Sequence, residues 1–127
     1  MPESGQQLNG NIEIHTMGER DMCFVPGTAW KVRSGYIFEF TRHGNLEVRN
    51  PAGTLLWESE TRNVGANKMS LENNGDLAIY AVGRVAPVWN TKTRGNPAAF
   101  VAFRMDGNMV LYSADRRPLW ATATNDK

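Results

Sequence analysis

The chain has 127 residues, 41% hydrophobic and 21% charged, with 14 basic against 13 acidic residues and a net charge of +1. That length fits one domain with a real core, and the near-neutral balance leaves no electrostatic footprint for nucleic acid or an anionic membrane surface. One cysteine and two histidines exclude an intrachain disulfide and leave no Cys/His zinc set.

In chain order, the polar start "MPESGQQLNGN" lacks the apolar run of a secretory signal. Residues 1–20 read as an N-terminal extension with a first strand, and residues 21–127 as a single domain. No apolar stretch approaches the roughly 20 residues of a membrane span. The expectation is a protein with no transmembrane segment and no membrane insertion, cytoplasmic or exported without a classical signal peptide. Cys23, within "MCFV", reads as a buried thiol. After the lead-in "GTAWKVRSGYIFEF" come a glycine turn, "HGNLEV" at Gly44, and a tryptophan phrase, "GTLLWES" at Trp57. The pair returns as "NGDLAI" at Gly75 with "APVWNT" at Trp89. The run "PAAFVAF" reads as a strand. A third pair follows, "DGNMVL" at Gly107 and "RPLWAT" at Trp120, separated by "SADRRP", which reads as a solvated hairpin loop. The tryptophans are spaced by 32 and 31 residues and the glycine turns by 31 and 32. Two independent markers agree on one period, so the chain contains three repeats, from about Tyr36 to Thr124.

Within each repeat the apolar residues alternate, which means strands. The inward sets are Phe38, Phe40, Leu46 and Val48; Met69, Leu71, Leu77 and Ile79; and Phe103, Met105, Met109 and Leu111. The three tryptophans join the core. No amphipathic stretch is long enough for a helix, so the fold class is all-β. A two-residue hairpin loop would set Phe103 and Met109 on opposite faces. A three-residue loop, Met105-Asp106-Gly107, keeps them together, with Gly107 in the left-handed conformation. It also puts Arg104, Asp106, Asn108, Val110 and Tyr112 together on the outer face. A carboxylate accepts hydroxyl hydrogen bonds, an amide donates and accepts, a phenol does either, and valine packs on a C–H face. That set suits a neutral polyol. No Ser/His/Asp set, paired-carboxylate motif or phosphate-binding glycine loop suggests an enzyme.

The pattern Q-x-D-x-N-x-V-x-Y, present three times with a following tryptophan, resembles the bulb-type (monocot) mannose-binding lectins over about residues 17–125. The resemblance implies a β-prism II fold: three four-stranded antiparallel sheets with pseudo-threefold symmetry and the tryptophans near the centre. "RMDGNMVLY" matches four of the five motif positions. "ENNGDLAIY" keeps only Tyr80 strictly, with Asn74 and Asp76 like an exchanged Asp/Asn pair. "TRHGNLEVR" keeps only Asn45, with Glu47 and Arg49 at the apolar and phenol positions. The disulfide common in plant members cannot form. By resemblance, Asp106 and Asn108 bind the 2-hydroxyl region of mannose, Tyr112 the 4-hydroxyl and Val110 the ring carbons. Arg104 stands where Gln meets the 3-hydroxyl. It can supply only the donating half of that role, or it can pair with Asp106 or with Glu-type neighbours and block the site.

The expectation is therefore a lectin recognising mannose or mannose-containing glycans, mainly through Arg104, Asp106, Asn108, Val110 and Tyr112 of the third repeat. A weak second site comprises Glu72, Asn74, Asp76 and Tyr80. No metal and no cofactor is implied. The resemblance also implies a homodimer, since the family exchanges its C-terminal strand between subunits and "PLWATATNDK" has no following partner in sequence. The alternative is a prism scaffold with degenerate sugar sites, acting in protein interaction, defence or toxicity.

Overall fold

The computed structural model describes residues 5–8 and 10–127, with side chains from residue 10 onward. It contains strands and turns, with no helix among the described residues. Each repeat supplies three consecutive antiparallel strands. The first gives β5 (Ile37–Phe40), β6 (Leu46–Arg49) and β7 (Leu55–Glu58). The second gives β8 (Ala66–Leu71), β9 (Leu77–Ala81) and β10 (Trp89–Asn90). The third gives β11 (Phe100–Phe103), β12 (Met109–Tyr112) and β13 (Pro118–Ala121).

The fourth strand of every sheet comes from the segment that precedes the repeats, in reverse order. β4 (Thr28–Lys31) joins the first repeat, β3 (Met22–Phe24) the second and β2 (Asn11–His15) the third. β1 (Gly5–Leu8) pairs with β2 and adds a fifth strand to that last sheet. The chain thus forms three antiparallel sheets of four strands each, one extended by β1.

All three hairpins have the same turn. Phe40 pairs with Leu46, Leu71 with Leu77 and Phe103 with Met109, leaving three residues beyond the last paired amide at each tip. Gly44, Gly75 and Gly107 donate to the carbonyls of Thr41, Glu72 and Arg104 at 2.9, 3.0 and 3.0 Å. Their φ angles of 81°, 100° and 93° are the left-handed values that glycine adopts without strain. Parity is therefore conserved around each turn. The inward residues are buried, and Phe38, Phe40, Leu46, Val48, Leu71, Ile79 and Leu111 have no exposure. Met105, the first residue of its loop, is the exception. It is half-buried and packs against the core rather than within it. Each fully buried large apolar side chain contributes about 1.5–3 kcal/mol.

The strands β7, β10 and β13 each bring one tryptophan to the centre. The Trp57, Trp89 and Trp120 rings lie 5.5, 5.5 and 5.7 Å apart, all edge-to-face. Three nearly equal separations are what a pseudo-threefold axis produces. Cys23 departs from the sequence expectation: its side chain is exposed, and its Sγ lies 3.6 Å from Ser70 Oγ. Met22 and Phe24 turn toward the core instead. A three-residue strand is too short for its alternation to be read from sequence.

Candidate carbohydrate-binding site

Three outer faces carry equivalent positions. They differ in what already occupies them. A latch common to all three sets the geometry. In the third repeat, Asn108 Oδ1 accepts from Thr122 Oγ1 and from the Thr124 amide, both at 3.2 Å. Thr124 Oγ1 lies 2.8 Å from Thr122 Oγ1 and donates to the Gly107 carbonyl at 2.6 Å. Asp76 does the same with Thr91 and Thr93 (3.0 and 3.4 Å), and Asn45 with Ser59 and Thr61 (3.3 and 3.0 Å). The middle motif position thus ties the hairpin turn to the segment after each tryptophan. A sequence signal for this exists, Trp-x-Ser/Thr-x-Thr at 57–61, 89–93 and 120–124, outside the hairpin motif itself.

In the third repeat all five expected residues share one face. Asp106 Oδ1 accepts from the Asn108 amide at 3.0 Å, so part of its role is shaping the turn. Asn108 Nδ2 has no hydrogen-bond partner among the described residues and is available to a ligand. Arg104 lies across the site. Its Nε donates to both Asp106 oxygens at 3.3 Å, its Nη2 to Oδ2 at 3.2 Å, and its Nη1 to the Tyr112 hydroxyl at 2.8 Å. Of the two fates the sequence left open for Arg104, pairing with Asp106 is the one observed. That pairing holds its guanidinium above the ordinary value against the opposing effect of burial, with Tyr112 assisting. To reach from its own row to that of Phe100 and Tyr112, Arg104 must cross the Ala102–Val110 pair. Val110 is only 4% exposed although it lies outside the inner core, as does its counterpart Ala78 at 0%. The turn itself is buttressed: Ser34 Oγ donates to the Met105 carbonyl (2.7 Å), the Asp126 amide to that of Asp106 (2.6 Å), and a Cβ on Gly107 would meet the Tyr36 ring at 2.3 Å.

Beside this site three rings stack across β2, β11 and β12. The His15 and Phe100 centroids are 4.5 Å apart, and those of Phe100 and Tyr112 are 5.4 Å apart. The "SADRRP" loop is more than a solvated turn. Arg116 sits at φ 69°, covers Phe100 at 4.8 Å and donates to both oxygens of the buried Glu13 at 3.0 and 3.2 Å. Burial alone would raise the Glu13 carboxyl. The hydrogen bonds from Arg116 and His15 outweigh it, and the net shift is downward.

The second face brings Glu72, Asn74, Asp76 and Tyr80 together but spends them on each other. Tyr80 donates to Glu72 Oε2 at 2.5 Å, Asn90 Nδ2 to Asp76 Oδ2 at 2.9 Å, and the Asp76 amide to Asn74 Oδ1 at 3.0 Å. Burial and this bond to Glu72 push the Tyr80 phenol up to about 12. The first face is filled. Asn45 Nδ2 donates to Glu47 Oε2 (2.9 Å) and Glu58 Oε1 (2.8 Å), while Arg49 holds Glu47 Oε1 at 3.1 Å and the Gly53 carbonyl at 2.9 Å. Among the described residues, no group of three or more His, Cys, Asp or Glu side chains is placed to hold a metal ion. Among the same residues, no helix is long and apolar enough to cross a membrane.

Three sheets around a tryptophan axis, each with a glycine-tipped hairpin presenting its outer face, define the β-prism II fold of the monocot mannose-binding lectins. Solved structures agree. A lectin from Gastrodia elata, described as a monomeric monocot mannose-binding lectin, superimposes with a TM-score of 0.76 at 21% identity, covering 89% of this chain and 97% of that one. The mannose-specific agglutinin of snowdrop (Galanthus nivalis), solved with methyl-α-D-mannoside, gives a TM-score of 0.68 at 22% identity, covering 89% and 96%. In sequence, the chain is 33% identical over 81 residues to a G-type lectin S-receptor-like serine/threonine-protein kinase of Arabidopsis thaliana. That match takes in 61% of this chain and 10% of the kinase, so the chain spans about a tenth of the relative's length. No family model matches the chain.

Proposed function

We propose that this protein is a non-enzymatic carbohydrate-binding protein that recognises mannose or mannose-containing glycans through its third repeat. One observation carries this reading. Only on the third face do a solvent-exposed acceptor, an unengaged amide donor and a phenol stand in register beside an apolar residue, Val110. The Asp106 side chain is 29% exposed there, whereas the Glu47 side chain on the first face is 6% exposed and locked. The snowdrop agglutinin, which shares the fold, was solved with a mannoside. The second face, with Glu72 and Asp76 both negative and Ala78 for Val110, would bind weakly or with altered preference.

Asn108→Asp tests the site without breaking the fold. Asp76 already holds the equivalent latch through one carboxylate oxygen, so the variant keeps that bond while the Nδ2 donor becomes a charged acceptor. Mannose binding should fall beyond detection in an NMR titration, since an unmatched hydroxyl costs about 1–3 kcal/mol and a shallow site starts near −4 kcal/mol. Parent-like binding by this variant would remove the site. If the parent itself does not respond to saturating mannose, the scaffold alternative takes over.

So weak a site calls for several held together, and a homodimer would supply them. Within one chain β13 pairs with β12 and Trp120 completes the triad, and exchange of that strand between two subunits would replace these contacts with the same ones made across the dimer. Light scattering should give twice the 14.2 kDa chain mass; a strict monomer at micromolar concentration would contradict the dimer.

A further inference from the structure

We infer that Arg104 is an internal competitor of the sugar in the third site, and so the residue that sets its affinity for neutral mannose. The inference rests on the reading above and adds to it which residue limits binding. The groups proposed to meet the sugar are Asp106 and Tyr112, and both are engaged by one guanidinium. Three of its contacts fall on Asp106, at 3.2 to 3.3 Å, and one on the Tyr112 hydroxyl at 2.8 Å. A sugar hydroxyl can donate fully to that carboxylate only after the guanidinium withdraws.

The three faces show why this one can open. Glu47 and Arg49 on the first face are fixed by the fully buried Asn45. Arg104 and Asp106 have no buried partner of that kind, and their side chains are 36% and 29% exposed. Exposed ion pairs are weak and are screened by salt. Arg104 therefore closes the site loosely: it can be displaced, at a loss of affinity. A neutral Gln at this position would leave Asp106 free and could both donate to and accept from a hydroxyl, where Arg can only donate.

The test compares the full chain with Arg104→Gln by NMR titration with methyl-α-D-mannoside at low and high sodium chloride. The variant should bind about two- to fivefold tighter, of the order an exposed charged pair can withhold. Parent affinity should rise with salt as the Arg104–Asp106 pair is screened, and the variant's should not change. Arg104→Lys, which keeps a charge but not the planar fork, should fall between them. A purely structural role for Arg104 would move none of these salt responses. Equal affinities would overturn the inference and leave the sugar site standing. Weaker binding by Arg104→Gln would also overturn it, by making the guanidinium a direct sugar contact. Absence of binding by both proteins would remove the site and its competitor together.

Discussion

Trp89→Ala is expected to destabilise the protein by about 3 kcal/mol, near the lower end for aromatic truncations because the ring is half-buried. Trp89 makes two of the three edge-to-face contacts at the axis, at 5.7 and 5.5 Å, each worth about 0.5–1.5 kcal/mol beyond burial. It also sits on a strand of only two residues, β10, flanked by backbone bonds from Val88 to Ile79 (2.8 Å) and Thr91 to Leu77 (3.0 Å). With so short a strand, the ring's packing does much of the work of holding the edge of the second sheet. Urea titration gives the value directly. A loss below about 1 kcal/mol would mean that the axis does not depend on the triad.

Asn45→Ala should cost a similar amount, about 3 kcal/mol, although its face binds nothing in this account. Asn45 has no exposure and its side chain serves Ser59, Thr61, Glu47 and Glu58. Truncation leaves the Thr61 amide and a buried carboxylate oxygen of Glu47 without partners, and each stranded buried group costs about 1–3 kcal/mol. Asn45→Asp should be at least as harmful, because a third carboxylate would face Glu47 and Glu58. Asn108→Asp would bring its charge near one carboxylate, Asp106, which is already paired with Arg104, and should be milder. Thermal unfolding of the three variants checks the order. A neutral Asn45→Ala would contradict the latch as a structural device.

The architecture was legible because it is written three times. A period shown by both glycines and tryptophans, with alternation between them, defines the hairpins, and keeping Phe103 and Met109 on one face selects the three-residue turn. What escaped was information that repeats do not carry. The strands β2, β3 and β4 precede the repeats and fill the sheets in reverse order, so the pairing of Arg116 with Glu13 crosses 103 positions. The Ser/Thr latch was present in the sequence, but hydroxyl residues are so ordinary in strands and turns that only the geometry reveals their partner. Arg104 shows a different limit. Its two possible roles use the same residues at the same spacing, and the choice depends on a rotamer.

If the third face is the sugar site, a chemical-shift map of the isotope-labelled parent titrated with methyl-α-D-mannoside will show it. Shifts should concentrate on the β11–β12 turn: the Asp106 and Asn108 backbone amides, the Asn108 side-chain amide, Val110 and Tyr112. The Asn45, Glu47 and Arg49 signals should stay in place. Shifts centred on the first face, or none at saturating sugar, would contradict it.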